Sequence, residues 1–247
     1  AVGSNCLQIG QLGATNIIVR SNKPINEGNQ SRQQNDSFIL KYGLTYNDFE
    51  RIKETLPTVV GVTPIREFPK SARHLDKEIE SRVVGVNPDY ITVTGQKIAE
   101  GRFISDADLQ AFANVAVIGS EAAEKLFPLG DPVNQTIRLG EQHYYRIIGV
   151  TDYKSPSAGT GTSLAAQDLN KDIYIPLTTD RIRFGQILTN SKQGNYTAER
   201  IELSQITIAV DSMENVKRTN EALDSMLFQF HPKKDYSITV PLELLEK

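Results

Sequence analysis

The chain has 247 residues with 27 Lys and Arg against 30 Asp and Glu, a formal net charge of -3, which leaves no broad basic surface for nucleic acid or anionic lipid. A hydrophobic share of 39 % suffices for one large core or two modest ones. A single cysteine, Cys6, excludes an intrachain disulfide framework, and no run approaches the ~20 apolar residues of a membrane-spanning helix.

From the N-terminus, the β-branched run Ile17–Arg20 predicts a short strand. Ser21–Ser37, rich in Asn and Gln, predicts a mobile loop. Thr45 predicts the N-cap of a helix over TYNDFERIKETL, and Asp48 completes an acidic capping box. Phe49, Ile52 and Leu56 give that helix an apolar face, Pro57 ends it, and Val59, Val60 and Val62 start a second strand. The C-terminal end repeats this order. Ile206, Ile208 and Val210 predict a half-buried strand, and Asp211 with Glu214 has capping-box spacing. Val216, Leu223, Met226, Leu227 and Phe230 fall on one helix face, Pro232 lies beyond its end, and Tyr236, Ile238 and Val240 alternate as a last strand. Two β-α-β units join as a split βαβ sheet of the α+β class. The fold expected is thus a discontinuous split-βαβ subdomain, 1–68 with 204–247, carrying an inserted subdomain over 69–203.

The insertion has a mixed, mainly β texture. Arg82–Val86 and Tyr90–Thr94 predict short strands joined through Asn87-Pro88-Asp89. Ser105 or Asp106 caps a short helix reaching Phe112, Val115–Ile118 is an apolar strand, and Gly119-Ser120 starts a helix over EAAEKLF. Thr136–Leu139, a turn at Gly140-Glu141 and Gln142–Val150 predict a hairpin. Thr151–Leu169 is a small-residue loop long enough to act as a flap, Ile173–Pro176 is another strand, and Ile187–Arg200 is again polar.

Catalytic signals are sparse. His74, His143 and His231 lie far apart, with no partner at metal-ligand spacing. His143 falls in the hairpin, and His231 at a helix end, where a cation suits the dipole. No G-x-S-x-G is present. An anion could meet the helix start at Gly119-Ser120, but Glu121 and Glu124 oppose a phosphate, and capping explains the pattern. Gly159–Ser163 lacks the lysine of a phosphate loop. The acidic pairs Asp106/Asp108 and Asp168/Asp172 are expected to be solvated surface charges, and Lys53, Lys233 and Lys234 are too scattered for a nucleic-acid patch. No cofactor, metal or catalytic residue is expected. The chain opens on Ala1 rather than Met, which fits a processed product or an excised piece, and Cys6 fits a free thiol near a frayed end.

The stretch VVGVNPDYITVTGQKIAEGRFISDADL, followed by NVAVIGSEAAEKLFPLGDPVNQTIRLGEQHYYRIIGV, resembles the core of the extracytoplasmic domain of MacB-type ABC transporter permeases. The resemblance rests on Gly85, Pro88, Tyr90, Gly95, Gly101, Arg102, Phe103, Gly119, Phe127, Asp131, Pro132 and Gly149, each of an ordinary structural type, in the family's order and spacing. Leu12–Val19 resembles the family's segment after the first membrane helix, Val240–Glu243 its approach to the second, and Asp172–Pro176 a strand after a variable loop. Asn134 stands where the family commonly has glycine, so a tight turn there uses a residue that tolerates left-handed backbone.

The resemblance implies a porter-like subdomain near the membrane and a distal, sabre-like insertion. It implies a periplasmic or extracytoplasmic part of a bacterial inner-membrane protein, a second permease subunit in a homodimer, a periplasmic adaptor protein and a cytoplasmic ATPase domain. It implies that ATP-driven motion is coupled to export by mechanotransmission, with no chemistry in this domain and no nucleic-acid partner. Lipoprotein release and cell-division-type signalling use related domains. Two other classes compete: an autonomous periplasmic binding module, and a hydrolase with an unrecognised acid or serine.

Overall fold

Apolar and β-branched residues build the first strand, β1 (Asn16–Ser21), in which Ile17 and Val19 are fully buried. The computed structural model describes residues 15–23, 39–154, 169–185, 187–192 and 195–240. Most of the two long loops, Cys6, Gly159–Ser163, Asp168 and Pro241–Glu243 lie outside the described residues. The chain divides into two units, 1–62 with 186–247, and 63–185.

In the first unit β1 lies between β13 (Tyr236–Thr239) and β12 (Gln205–Val210), antiparallel to both, and β12 is bonded to β3 (Val59–His74). The order β13–β1–β12–β3 is that of the split βαβ plan. The helix α1 (Tyr46–Thr55) follows β1 in the chain, and α6 (Met213–Phe230) follows β12. Thr45 caps α1 with the reciprocal Asp48 box that the sequence predicts. Ile52, Val216, Leu223 and Leu227 are buried with Ile206 and Ile208, so both helices bury an apolar stripe.

Three details of this unit differ from the sequence reading. All six residues of β12 are buried, not alternate ones: Gln205 donates to the Thr207 hydroxyl at 2.9 Å, which lets the polar side chains stay inside. Ser212, not Asp211, is the N-cap of α6, and Asp211 accepts from the Asn215 side chain at 2.9 Å. Phe230 is exposed, with the Arg51 guanidinium 3.8 Å over its ring.

The units divide at Val62/Thr63 and Gly185/Gln186, whereas the sequence reading draws the lines at 68/69 and 203/204. The reason lies in Ile187–Arg200. This polar stretch forms β10 (Ile187–Lys192) and β11 (Asn195–Arg200), which pair with each other, and β11 pairs in turn with β2 (Ile39–Lys41), a strand of the first unit.

The second unit is built on a sheet that closes. The later part of β3 pairs with β4 (Lys77–Val86), β4 with β9 (Ile173–Pro176), β9 with β6 (Val115–Ile118), and β6 with β8 (His143–Thr151). β8 then pairs with β7 (Thr136–Leu139), and β7 returns to β3 through Ala72↔Leu139. The six strands form a small barrel, a size at which side chains fill the interior. Alternation and register put Phe68, Ala72, Val83, Ile137, Leu139, Tyr145, Ile147, Ile173 and Ile175 on the inner face, all buried. On the outer face Ile65, Val84, Val86, Tyr90, Ile104, Val115, Val117, Ile148 and Tyr174 form a second apolar cluster. β5 (Ile98–Gly101) pairs with β8 outside the ring, and α5 (Leu177–Arg183) follows β9.

Tyr90–Thr94 is the helix α2, not a strand. The turn at Asn87-Pro88-Asp89 opens it, Thr94 donates back to the Tyr90 carbonyl at 2.8 Å, and Gly95 closes it in the left-handed region at φ +60°. The β-branched residues that suggested a strand are outweighed by these end signals. α3 (Asp106–Gln110), capped by Ser105, and α4 (Ser120–Leu126) stand where the sequence predicts helices.

Candidate functional site

The residues that carry the family resemblance all lie in the second unit, and each answers a local packing demand. Gly101 ends β5 at φ +73°, and a Cβ there would stand 2.2 Å from the Ile148 carbonyl oxygen. A Cβ on Gly149, its partner across the ladder, would stand 2.3 Å from the Arg102 carbonyl oxygen. The two backbones thus cross where no side chain fits, and the Arg102 amide donates to Ile148 at 2.9 Å. So placed, Arg102 forks onto Asp108, with Nη1 to Oδ2 at 2.6 Å and Nη2 to Oδ1 at 3.0 Å. Asp108 also accepts from the Ser105 amide at 2.9 Å and its hydroxyl at 2.7 Å, as the capping box of α3. Hydrogen bonds from Arg102 hold the Asp108 carboxyl well below the usual carboxylate range. Asp106 is exposed as expected, whereas Asp108 is buried and committed, so the reading of both as solvated is corrected.

Tyr90 is buried, with its ring centroid 6.4 Å from Phe103 and 5.3 Å from Tyr174. The Tyr174 hydroxyl reaches Asp172 at 3.4 Å. Asp172 in turn takes Arg82 Nε at 3.0 Å and Nη2 at 2.5 Å, while Arg82 Nη1 donates to Glu67 at 3.1 Å. Asp172, also expected to be solvated, is therefore the buried anchor of an ion-pair network.

Gly85 faces a second buried pair. A Cβ there would stand 2.8 Å from Asp180 Oδ2, and Asp180 bonds Arg66 at 2.7 Å with both side chains buried. Burial pushes the Asp180 carboxyl up to about 6 against the pull of Arg66. Arg66 Nε and Nη2, Asp180 Oδ2 and the Tyr145 hydroxyl have no hydrogen-bond partner among the described residues. The sequence reading missed this pair. Its signal is the charge of Arg66 at an inner-face position between Ile65 and Phe68, in a strand whose length was not foreseen.

The remaining signature residues shape turns and close approaches. A Cβ on Gly119 would stand 2.2 Å from the Asn170 carbonyl oxygen, so the start of α4 is closed off by protein. The Asn170 side chain accepts from the Lys154 amide at 2.9 Å and donates to its carbonyl at 2.8 Å. Asp131 accepts from the Val133 amide at 2.7 Å, the Pro132 carbonyl accepts from Gln135 at 3.1 Å, and Asn134 takes φ +67°, the left-handed turn expected of it. Phe127 packs on the His74 ring at 4.2 Å, and Pro88 sits in the turn that opens α2.

In the first unit, His231 does more than follow the end of α6. Its Nε2 lies 3.0 Å from Asp48 and its Nδ1 2.8 Å from Asp235, tying the start of α1 to the approach to β13. Asp235 also accepts from the Gly43 amide at 2.6 Å.

Among the described residues no group of three or more His, Cys, Asp or Glu is arranged to hold a metal ion. Surface clefts of about 200, 260 and 380 Å³ line the second unit, at the start of β8, between β5 and α4, and beside Phe127. Of the signature residues, Gly101, Gly119 and Gly149 permit close backbone approach, and Arg102 bonds Asp108.

A family model described as the MacB-like periplasmic core domain matches residues 7–226. The macrolide export ATP-binding/permease protein MacB of Vibrio parahaemolyticus is 26 % identical over 228 residues, 92 % of this chain and 30 % of that protein. The pyoverdine export ATP-binding/permease protein PvdT of Pseudomonas savastanoi is 31 % identical over 188 residues, 74 % of this chain and 25 % of that protein. The chain thus spans less than a third of the length of these curated relatives. In fold it is similar to the periplasmic region of MacB from Actinobacillus actinomycetemcomitans, with a TM-score of 0.67 at 18 % identity, covering 98 % of this chain and 95 % of that one. The extracellular domain of the noncanonic ABC-type transporter YknZ from Gram-positive bacteria gives 0.65 at 20 % identity, covering 91 % and 99 %.

Proposed function

Since the chain belongs to the MacB-like periplasmic core domain family, we propose that it couples ATP-driven motion of an export permease to events outside the membrane. The observation that carries this reading is the pairing of β1 with β13. Ile18 lies opposite Thr239 and Val19 opposite Ile238, in antiparallel register. The beginning of β1 and the end of β13 therefore stand side by side at one end of one sheet, a geometry suited to a body carried by two neighbouring membrane helices. Such a body passes on displacement if it does not absorb it. Packed cores and bonded backbone crossings deform little under load, and this chain invests its charged and glycine residues in them.

In this reading the parent protein works as a homodimer with a cytoplasmic ATPase domain and a periplasmic adaptor. The split βαβ unit is the porter-like base, and the barrel unit is the sabre-like part that meets the partner. The relatives' names speak of macrolide and pyoverdine export, so export of a substrate is the activity proposed for the parent protein. Deletion of residues 63–185 from the full transporter, with a short linker, tests this: ATP hydrolysis persists and export stops. Export at the wild-type rate without the barrel unit would refute the coupling role.

A further inference from the structure

We infer that the cleft between the start of β8 and the end of α5 binds a small oxyanion, a carboxylate or phosphate group, through Arg183, His143 and Lys70. The cleft has a volume of about 200 Å³ and is lined by Asn114, Gln142, His143, Tyr144 and Arg183. Its position follows from the barrel. His143 opens β8 opposite Leu139, and its ring meets Phe184, the residue just past α5, at 4.6 Å edge-on. Phe184 also packs on Phe68 at 4.9 Å and Tyr145 at 6.4 Å, two residues of the barrel interior.

The charges at this place are unbalanced. Arg183, an exposed side chain, donates from Nε to the Asn114 side-chain oxygen at 3.2 Å, which leaves its two Nη groups unbonded among the described residues. Among the described residues no carboxylate pairs with Arg183 or Lys70. The carboxylate on the same helix, Asp180, is bonded to Arg66. Lys70 reaches the same turn, its side chain lying where a Cβ on Gly140 would stand, and burial first, then the charges of Arg183 and Lys70, push the His143 imidazole below its ordinary range. The two Nη groups of a planar guanidinium, a lysine and a histidine able to take a proton match the fork geometry and charge of an oxyanion. This inference stands independently of the coupling role, since neither Arg183, His143 nor Lys70 belongs to the signature residues.

Nuclear magnetic resonance titration of the three histidines of the whole chain tests it, with His143→Gln used for assignment and His74 and His231 as internal references. The midpoint of His143 in chloride is compared, at constant ionic strength, with that in inorganic phosphate and in acetate. The expected result is a rise of about 0.5–1 pH unit for His143 with at least one of the two, because a bound anion favours the charged imidazole. Phosphate alone acting assigns a phosphate site, and acetate alone a carboxylate site. Arg183→Gln abolishes the rise. Should that variant fail to fold by circular dichroism, the exposed Lys70→Gln is read in its place and at least halves the rise. An unchanged midpoint in both anions overturns the inference, as does a rise that the substitutions leave intact.

Discussion

Arg66 and Asp180 show how a charged pair fixes the inside of a small barrel. Their 2.7 Å bond lies in the interior with both side chains buried, and Gly85 makes room for it. Replacing Arg66 by Met removes the cation bonded to Asp180, and we expect a loss of about 3–5 kcal/mol at neutral pH. The loss has a sign in pH. The folded value of Asp180, about 6, lies above that of an unfolded carboxylate, ~3.9, so its favourable contribution is full below ~4 and fades as the pH rises through about 6. Without Arg66 that fading continues to higher pH, so the penalty of Arg66→Met grows between ~4 and ~8. Urea unfolding at several pH values measures it, and a pH-independent penalty would contradict the pairing. The double change Arg66→Met with Asp180→Leu restores most of the stability, because no charge is then left inside. Two glycines give a second comparison. Gly95 at φ +60° has open space where a methyl group would stand, so Gly95→Ala costs only the left-handed backbone, about 1–2 kcal/mol. Gly101 at φ +73° adds a collision with the Ile148 carbonyl, so Gly101→Ala costs at least about twice as much in the same unfolding experiment. Equal losses would show that the crossing of β5 and β8 is not tight.

At the scale of elements, the ends of helices decide more than their middles. Thr45→Ala removes one half of the α1 capping box and is expected to cost about 1 kcal/mol. His231→Ala is expected to cost more than Thr45→Ala, because it leaves Asp48 and Asp235 without the ring that bridges them. Thermal unfolding ranks the two, and the reverse order would remove His231 from the scaffold. The elements that sequence reading found are those whose determinants are near neighbours: the Thr45 and Ser105 boxes, the hairpin around Gly140-Glu141, and the apolar runs of β6 and β9. The elements it missed depend on distant partners. YITVT is β-branched, yet Thr94 and Gly95 close it as a helix under Phe103 and Tyr174. β10 and β11 are polar strands made by pairing with each other and, for β11, with β2. α5 follows Pro176 without a side-chain cap to announce it. Of the site residues, the glycines and Arg102 were visible as a spaced pattern. Arg66, Asp180 and the bridge of His231 were not, because the partners lie 114 and 183 positions away.

For the whole molecule, the two ends of the sequence matter most. The split βαβ order was legible because both β-α-β units carry their own periodicity, while the closure of the barrel was not. It rests on the parallel pairings β4–β9 and β6–β8, which leave no mark in local sequence. If the dimer of the parent transporter is held by its membrane helices, the isolated chain sediments as a monomer, and a tight dimer would contradict that arrangement. The coupling role itself turns on β1 and β13 acting as one inseparable base. The direct measurement introduces Ile18→Cys with Thr239→Cys into the full transporter and compares export and ATP hydrolysis under oxidising and reducing conditions. We expect the cross-strand disulfide to form and both rates to stay within about twofold of the reduced protein, because the strands are already neighbours and move together. Failure of the bond to form, or a bond that halts export until it is reduced, would contradict the account.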